Sequence, residues 1–250
     1  MGLYNFPVKT YVIHAEKGYE YHGERVKTLF KEKKIPFEFM TKGSPSNFSN
    51  ELLSTYFVQD ILKKYSKGGI SCTLNHFLAL ESFIESEENF ALIFENDPFF
   101  IGDFQKKMNR IFPEIEALSS GFIISLENTT LTFPGYKQTN KNQFLYAASK
   151  GRMAGAYLID KTGAEKALEY LKSNKCAFII DWFHNELIEK NVLKMYWAHP
   201  PLIEQGSHNG HLSSTISSKN KSIYRRFAWI IRKFVRKNIG RLFNQKRIIE

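Results

Sequence analysis

Three short apolar runs, each followed directly by an acidic residue, constrain the fold of this chain more than any other feature. Segments with helical periodicity lie between them, at 103–118, 161–173 and 182–190. Strands that alternate with helices are typical of α/β folds, in which most strands of the central sheet are parallel. The sequence therefore predicts an α/β fold with a mostly parallel central sheet. The runs are FALIF (90–94) before Glu95, GFIISL (121–126) before Glu127 and AFII (177–180) before Asp181.

The first ninety residues show the same alternation of strands and helices. An amphipathic stretch places Val26, Leu29 and Phe30 on one helical face. The segment TKGSPSNFSN (41–50) is predicted to be a loop, because it is rich in Gly, Pro, Ser and Asn. The other predicted elements are strands at 10–14 and 35–40, a helix that ends near Lys34, and helices at 51–65 and about 70–86.

The acids that follow the apolar runs are expected to meet at one edge of the sheet, where open α/β sheets bind their ligands. Side chains alternate along an extended chain, so Glu95 and Asp97 point the same way and Asn96 points the opposite way. Two such carboxylates can bind one hard divalent cation that neutralises a leaving diphosphate, as nucleotide-sugar enzymes require. The alternative is ordinary turn chemistry before Pro98, with Asn96 and Asp97 satisfying local backbone groups.

Net charge divides the chain into a nearly neutral body and a basic C-terminal segment. The 250 residues carry a formal charge of +10. Ten basic residues and no acid lie between positions 221 and 247, so residues 1–220 are close to neutral. A nucleic-acid-binding body would spread positive charge over a folded face, and this distribution argues against one. Two cysteines without a CxxC pair, and no recognisable signal peptide, predict a reducing, cytoplasmic location.

Residues 224–243 are predicted to form an amphipathic helix. At about 100° per residue, one face carries bulky apolar side chains and the other carries basic ones. The apolar face consists of Tyr224, Phe227, Ile230, Ile231, Phe234, Val235 and Leu242, and the basic face of Arg225, Arg226, Arg232, Lys233, Arg236 and Lys237. This pattern is typical of a helix that lies in a membrane interface and is attracted by anionic lipids. The alternatives are a helix packed on its own domain with a solvated basic face, and a helix that binds nucleic acid. The predicted organisation is a folded domain at 1–206, a connector at 207–222 and a membrane-associating tail at 223–250.

A series of motifs follows in order along residues 9–206. They are GGISCTLNHFLALESFI (68–84), LIFENDPFF (92–100), GFIISLE (121–127), RMAGAYLIDKTGAEKAL (152–168), IIDWF (179–183) and PPLIEQ (200–205). In their order and spacing these motifs resemble glycosyltransferase family 25, the lipooligosaccharide galactosyltransferase-like enzymes of lipopolysaccharide biosynthesis. Cys72, His76, Glu95 and Asp97 match the family pattern.

The chain departs from that pattern at several positions. Asn75 stands where Ser is usual, Asn96 replaces the middle Asp of a Glu-Asp-Asp motif, and Met153 replaces Thr. The loop TKGS (41–44) stands where the family has a loop of the A-x-D-G type, and this change affects the contacts that the resemblance implies on the uridine side of the donor. These differences motivate an alternative, a catalytically inactive relative that binds a sugar nucleotide or a glycan. Activity is nevertheless expected, because Asn96 keeps a carbonyl oxygen and the convergent pair of acids survives.

The resemblance implies a GT-A-like fold, a UDP-sugar donor and Mn²⁺ (or Mg²⁺) as cofactor. It implies inverting transfer of galactose or glucose, in which a base deprotonates a hydroxyl of a glycolipid oligosaccharide acceptor while the diphosphate leaves from the opposite face. Glu95 and Asp97 would hold the metal. Asp181 or Glu127 would be the base, and Asp181 is preferred because it matches a family Asp. The implied donor contacts are His14, Arg25, His76, Asn96 and Gly155, and the implied acceptor contacts are Trp182 and Gln205.

Several of these residues have an alternative interpretation. Asp181 would cap the helix that follows it, and Glu127 would hydrogen-bond a sugar hydroxyl. Gly155 either allows tight packing at a strand start or lets the backbone approach a ligand. Arg25 would be an exposed helix residue, and Trp182 a core residue rather than a stacking face for a sugar.

Two histidine-bearing segments suggest further metal sites. Cys72 and His76 are four residues apart and share a helix face, but the sequence offers no evident third ligand. A buried cysteine, with His76 hydrogen-bonded near the donor site, is therefore favoured. His208 and His211 could also bind a metal, although a mobile acceptor-side loop is the favoured interpretation of that segment.

Overall fold

The computed structural model describes residues 8–15, 17–212 and 223–243. Residues 213–222 of the predicted connector and 244–250 of the predicted tail lie outside the described residues. The strands are β1 (Val8–Ile13), β2 (Glu38–Met40), β3 (Phe90–Glu95), β4 (Pro98–Phe100), β5 (Phe122–Ser125), β6 (Leu145–Ala148), β7 (Ala156–Asp160), β8 (Lys194–Ala198) and β9 (Ile203–Gln205). The helices are α1 (Glu20–Glu32), α2 (Asn50–Tyr56), α3 (Ile61–Lys64), α4 (Lys67–Ile84), α5 (Phe104–Glu116), α6 (Lys161–Asn174), α7 (Ile180–Glu189), α8 (Gly206–Asn209), α9 (Ile223–Val235) and α10 (Arg241–Phe243), with a π-helical segment at Arg236–Gly240.

Seven strands form the central sheet, in the order β2-β1-β3-β7-β5-β8-β6. β6 and β7 run opposite to the other five strands, since they pair antiparallel with their neighbours. The predicted α/β fold with a mostly parallel central sheet is confirmed. A second, two-stranded sheet pairs β4 with β9, and it places Pro98 opposite Gln205.

The central strands are buried on both faces, which explains why they are continuous apolar runs. Along β3, Ala91 and Ile93 pack in a cluster with side chains of α4, α6 and α7. Leu92 and Phe94 point the other way and pack with side chains of α1 and α5. Helices therefore cover both faces of the sheet, and polar side chains collect at the edge where β3 and β5 end.

The third predicted strand, AFII (177–180), is not a strand. Ile180 begins α7, and Ile180, Phe183 and Leu187 enter the core at helical spacing. A four-residue apolar run fits the first turn of a buried helix as well as it fits a strand, so its length alone misled the prediction. Asp181 consequently lies in the first turn of α7 and not at a strand end.

The helix predicted over 51–65 is interrupted after Tyr56. Phe57 pairs with Cys176 in an isolated β-bridge, and Asp60 has a φ of 70°, which no right-handed helix allows. Because Cys176 is far away in the sequence, local periodicity carries no sign of this break.

The predicted C-terminal helix is present and is docked on the body of the protein. Trp229 of α9 is buried against Leu131 and Phe133. One turn further on, Lys233 forms an ion pair with Glu204. None of the helices that the structure describes has the length and hydropathy of a membrane span.

Asp160, the last residue of β7, accepts hydrogen bonds from three backbone N–H groups. Its Oδ1 accepts hydrogen bonds from the N–H groups of Gly163 at 3.1 Å and Phe122 at 2.7 Å. Its Oδ2 accepts one from Gly121 at 2.8 Å. The side chain thus caps α6 and fixes the start of β5 at the same time.

We expect Asp160→Ala to lower the free energy of unfolding by about 3 kcal/mol, since it removes a cap and leaves buried donors unpaired. Urea denaturation would measure the loss. Ser66→Ala is the matched control, because the Ser66 hydroxyl caps α4 through the Gly69 N–H alone. Its expected loss is about 1 kcal/mol, and equal losses in both variants would contradict the threefold role of Asp160.

Candidate functional site

The structure brings the predicted acids together at one edge of the sheet. Glu95 is the last residue of β3, and Glu127 follows β5. β7 lies between these two strands and runs antiparallel to both, so it begins at the edge where they end. Asp181 reaches this edge from the first turn of α7, close enough that Glu95 raises its pKa.

Gly155 joins the two strand ends through its backbone. Its carbonyl oxygen accepts a hydrogen bond from the Glu95 N–H at 2.9 Å, and its own N–H donates to Glu127 Oε1 at 3.2 Å. A Cβ at residue 155 would lie 2.1 Å from Gln205 Nε2. This close approach supports the tight-packing interpretation of the glycine, with the Gln205 side chain as its neighbour, and a donor contact at Gly155 stays a prediction.

Side-chain hydrogen bonds through Gln205 and Thr129 connect Glu95 with Glu127. Gln205 Nε2 donates to Glu95 Oε2 at 3.0 Å. The Thr129 hydroxyl lies 3.0 Å from Gln205 Oε1 and 2.6 Å from Glu127 Oε2. One hydroxyl proton serves only one of these acceptors, so a proton on Glu127 would satisfy both contacts. Burial raises the pKa of Glu127 well above its usual range, which favours that protonated form.

Asp97 and Asn96 make separate contacts. Asp97 Oδ2 accepts a hydrogen bond from the Ser207 N–H at 2.8 Å. The Asn96 side-chain amide donates from Nδ2 to His14 Nδ1 at 3.1 Å. The two side chains therefore serve different partners, as their alternation along the chain requires.

Arg25 lies beside this turn and not on an open helix surface. Its NH2 group donates to the Pro98 carbonyl oxygen at 2.7 Å, and its guanidinium lies 4.1 Å from the centre of the Phe99 ring. Burial lowers the pKa of Arg25, while the charge of Asp97 acts in the opposite direction. A partly buried cation is thus held next to the Asp97 carboxylate.

Cys72 and His76 face Glu95 from α4. The Cys72 thiol donates to Glu95 Oε1 at 3.7 Å, and His76 Nε2 lies 4.0 Å from the same oxygen. On the other side of the ring, His76 Nδ1 is hydrogen-bonded to the Tyr157 hydroxyl at 2.9 Å. The third ligand that the sequence did not reveal is therefore Glu95, contributed by β3.

Burial dominates the electrostatics of the site. It raises the pKa of Glu95 to about 8, and the charge of Asp97 adds to the effect. It also raises the pKa of Asp181 to about 7, assisted by Glu95 and opposed by a hydrogen bond from the Ala154 N–H. Burial lowers the pKa of His76 to about 3, so its imidazole is neutral at pH 7. Acids that repel one another in this way are stabilised in their charged form by a bound cation.

Two predicted residues lie at the periphery. Trp182, next to Asp181 on α7, is 56% exposed and is not a core residue. His211 stacks on Phe99, with ring centres 4.9 Å apart. Within the described ranges, neither His208 nor His211 belongs to a group of three side chains with metal-binding atoms in mutual reach.

Arg152 is the principal site residue that the sequence reasoning missed. It is fully buried, and its NH1 group donates to the carbonyl oxygens of Glu127 at 3.1 Å and Ala198 at 3.0 Å. Its guanidinium lies 4.6 Å from the centre of the Trp197 ring. A charged residue just before the apolar stretch of β7 was the available signal, but nothing local distinguishes it from a surface arginine.

The site also satisfies a chemical test for a divalent cation. In the part of the chain that the structure describes, Asp97 Oδ1 and His76 Nε2 are buried polar atoms with no hydrogen-bond partner. Buried polar atoms are normally paired, so unpartnered ones at one site point to a ligand. The carboxylates of Glu95 and Asp97 offer the oxygen ligands that Mn²⁺ and Mg²⁺ prefer. The residues present therefore fit a metal.

These features define an α/β protein with an acidic, cation-compatible site beyond the carboxyl ends of its strands. The family described as Glycosyltransferase family 25 (LPS biosynthesis protein) matches residues 9–183. The chain therefore belongs to glycosyltransferase family 25, and the resemblance inferred from its motifs is confirmed.

The solved structures similar to this chain include a putative glucose-1-phosphate thymidylyltransferase from Bacillus anthracis in complex with a sucrose. The two share 12% identity with a TM-score of 0.36, over 76% of this chain and 86% of that one. No curated protein matches the chain.

We expect Gly155→Ala to lower the free energy of unfolding by about 2 kcal/mol, since the new methyl group must expel Gln205 and break its hydrogen bonds. Urea denaturation would measure this change. Gly151→Ala is the matched control, because a Cβ there meets Asn185 Oδ1 and Met195 Cε at 3.4 Å, an ordinary contact. That variant is expected to stay within about 0.5 kcal/mol of the parent. A tolerated alanine at 155 would contradict the tight packing described above.

Proposed function

We propose that this protein is an inverting glycosyltransferase that moves galactose or glucose from a UDP-sugar to a lipooligosaccharide or lipopolysaccharide acceptor. The observation that carries the proposal is the convergence of Glu95, Asp97 and Asp181 at the edge where β3 and β5 end. Open α/β sheets bind their ligands at this edge, which is where a GT-A-like fold would hold a nucleotide sugar. Membership of glycosyltransferase family 25 supplies the reaction class.

In this proposal Glu95 and Asp97 hold Mn²⁺ or Mg²⁺, which would neutralise charge on the departing diphosphate of UDP. Asp97 supports this role through Oδ1, a buried oxygen without a hydrogen-bond partner among the described residues. Arg25 lies beside Asp97, and its NH1 group is likewise without a hydrogen-bond partner within the described ranges. Its NH1 group is thus available to the diphosphate, which is the donor contact that the family resemblance implies.

Asp181 fits the role of general base better than Glu127 does. Glu127 is fully buried, and its two oxygens are engaged by the Gly155 N–H and the Thr129 hydroxyl. Asp181 retains some exposure at the start of α7, so an acceptor hydroxyl can reach it. A base with a pKa near 7 is also well matched to proton abstraction at neutral pH. Glu127 then orients Gly155 and Thr129 and does not touch the acceptor.

The other predicted contacts divide between the donor and the acceptor. On the donor side, His14 and Asn96 form one hydrogen-bonded pair next to the proposed metal ligands. On the acceptor side, the exposed ring of Trp182 offers a stacking face for a sugar beside Asp181. Gln205 is buried and bonded to Glu95, so its main effect would be to orient that carboxylate. A direct contact of Gln205 with the acceptor stays a prediction.

We expect Asp181→Asn to lower kcat by about 100-fold or more, because the amide cannot accept the proton of the acceptor hydroxyl. The KM for the donor should change little, since the donor contacts remain. Release of UDP from UDP-galactose and UDP-glucose, measured with Mn²⁺ and a lipooligosaccharide acceptor, would test both statements.

Asp60→Asn is the control for that experiment, because Asp60 is an exposed acid that forms an ion pair with Lys63 in α3, a surface helix that carries none of the proposed site residues. It should leave turnover unchanged. Full activity of Asp181→Asn would eliminate Asp181 as the base. A parent protein that binds UDP-sugars but releases no UDP would instead favour the inactive, glycan-binding alternative.

We also propose that α9 holds the protein at the inner face of the cytoplasmic membrane. The helix docks on the body through Trp229 and Lys233, which leaves its apolar side outward. Large apolar groups exposed together on one helix mark an interaction surface. This outer surface consists of Phe227, Ile230, Ile231 and Phe234, with exposed Arg226, Arg232 and Arg236 nearby. Basic side chains beside an apolar stripe are complementary to an anionic lipid surface.

The docking of α9 also connects the proposed membrane surface to the active site. Lys233 is paired with Glu204, and the next residue, Gln205, donates to Glu95. A membrane-bound glycolipid would therefore be presented close to the edge of the sheet that carries the acids. Direct contact between this helix and β9 supports a shared surface for the acceptor and the membrane.

We expect Phe234→Asp to weaken binding to vesicles that contain phosphatidylglycerol by about tenfold or more, since it replaces an exposed ring that would enter the lipid by a charge that anionic lipids repel. Cosedimentation with such vesicles would measure the change. Leu62→Asp is the matched control, because Leu62 is an exposed apolar residue of α3, outside the tail. Equal binding of the parent and Phe234→Asp would contradict the proposed membrane contact.

A further inference from the structure

A cluster of nitrogen, sulfur and oxygen ligand atoms lies on the α4 side of Glu95. Among the described residues, Cys72, His76 and Glu95 are the only group of three or more such side chains whose ligand atoms all lie within 4.8 Å of one another. Two of them are one helical turn apart, so α4 holds them at a fixed separation. The third comes from the end of β3, a different element of the core.

His76 is held in the orientation that a metal ligand needs. It is fully buried, and a hydrogen bond to Tyr157 at 2.9 Å anchors its Nδ1 atom. Its Nε2 atom points at Glu95 Oε1 and has no hydrogen-bond partner in the described part of the chain. With Nδ1 donating to Tyr157, Nε2 presents its lone pair to the cluster, as second-shell hydrogen bonds commonly arrange at metal sites.

A hydrogen bond to its second carboxylate oxygen, Oε2, orients the Glu95 side chain. Gln205 donates to Oε2 at 3.0 Å, which turns Oε1 toward Cys72 and His76. The Glu95 side chain keeps 25% of its surface exposed, so the cluster is open to solvent on that side. Three protein ligands with one open side are the arrangement of a zinc site that exchanges its fourth ligand.

We propose that Cys72, His76 and Glu95 form a binding site for a borderline-soft divalent cation, with Zn²⁺ as the preferred ion. In a tetrahedral zinc site, bond lengths of about 2.0–2.3 Å place neighbouring ligand atoms about 3.3–3.7 Å apart. The Cys72 sulfur already lies 3.7 Å from Glu95 Oε1, and His76 Nε2 lies 4.0 Å from it. The ion takes the place of the thiol proton between Cys72 and Glu95, and that proton passes to the buffer.

This site is chemically distinct from the Glu95–Asp97 pair proposed for Mn²⁺. The two share one carboxylate, but the thiolate and imidazole favour Zn²⁺ where the Asp97 oxygen favours Mn²⁺ or Mg²⁺. Zinc binding at the cluster does not depend on the proposed function. If that function is correct, Zn²⁺ engages Glu95 and inhibits turnover, so the ratio of the two ions regulates the enzyme.

Cobalt substitution tests the proposal directly, because a Co²⁺–thiolate bond produces a charge-transfer absorption band. The metal-free full-length protein should bind one Co²⁺ with such a band, and Zn²⁺ should displace it with 1:1 stoichiometry. Cys72→Ser should abolish the band. Tyr157→Phe, which keeps the ring but removes the hydroxyl, should weaken Zn²⁺ binding by about 10–100-fold.

Cys176→Ser is the control, because Cys176 is the second free cysteine of the described residues and its sulfur contacts the Phe178 carbonyl oxygen, away from the cluster. This variant should keep the parent spectrum. Asp97→Asn should keep Zn²⁺ affinity and lose affinity for Mn²⁺. A cobalt complex without the band, or equal Zn²⁺ affinity in Cys72→Ser and Cys176→Ser, would overturn the proposal. A loss of Zn²⁺ in Asp97→Asn as large as in Cys72→Ser would also overturn it, by assigning the ion to the carboxylate pair.

Discussion

The site depends on two hydrogen bonds made by the backbone of Gly155. One fixes the backbone at Glu95, and the other fixes the carboxyl group of Glu127. A buried carboxyl group is costly unless it is hydrogen-bonded, and the backbone N–H at 155 helps to satisfy Glu127. The absence of a side chain at 155 also lets Gln205 pack over it and bond to Glu95. One glycine thus helps to set the positions of three polar side chains, which lie at the ends of β3 and β9 and just after β5.

The positions of Glu95 and Glu127 could be predicted because each follows an apolar run long enough to be a buried strand. Asp181 was placed correctly at the same edge for the wrong reason, since it arrives on a helix. Sequence patterns could not show that an antiparallel strand, β7, separates β3 from β5. The segment that leads into that strand places Gly155 between Glu95 and Glu127, and Arg152 at the carbonyl oxygen of Glu127. Pairings over long sequence separation, such as those of Arg152 and Gln205, leave no local periodicity to read.

The tail illustrates the same limit for a surface element. Periodicity predicted a helix with an apolar side and a basic side, and both sides are present on α9. Trp229 belongs to neither of the predicted sides, yet it is the residue that anchors the helix to Leu131 and Phe133. Lys233 was assigned to the solvated basic side and instead pairs with Glu204. Two of the residues that dock the helix are therefore ones that amphipathicity does not single out, and the docking leaves the apolar side exposed.

The contacts of Asn96 bear on whether its replacement of a family Asp impairs the site. Its side chain is bonded to His14, on the opposite side of the chain from Glu95 and Asp97. An Asp at this position would add another carboxylate to a region where burial and mutual repulsion already raise the pKa of Glu95. Its carboxylate could make the same contact only if His14 carried a proton on Nδ1 and donated it. Asn96 makes a neutral pair with His14 and leaves both oxygens of Glu95 and Asp97 in place, so the substitution removes charge without removing a ligand from the proposed metal pair.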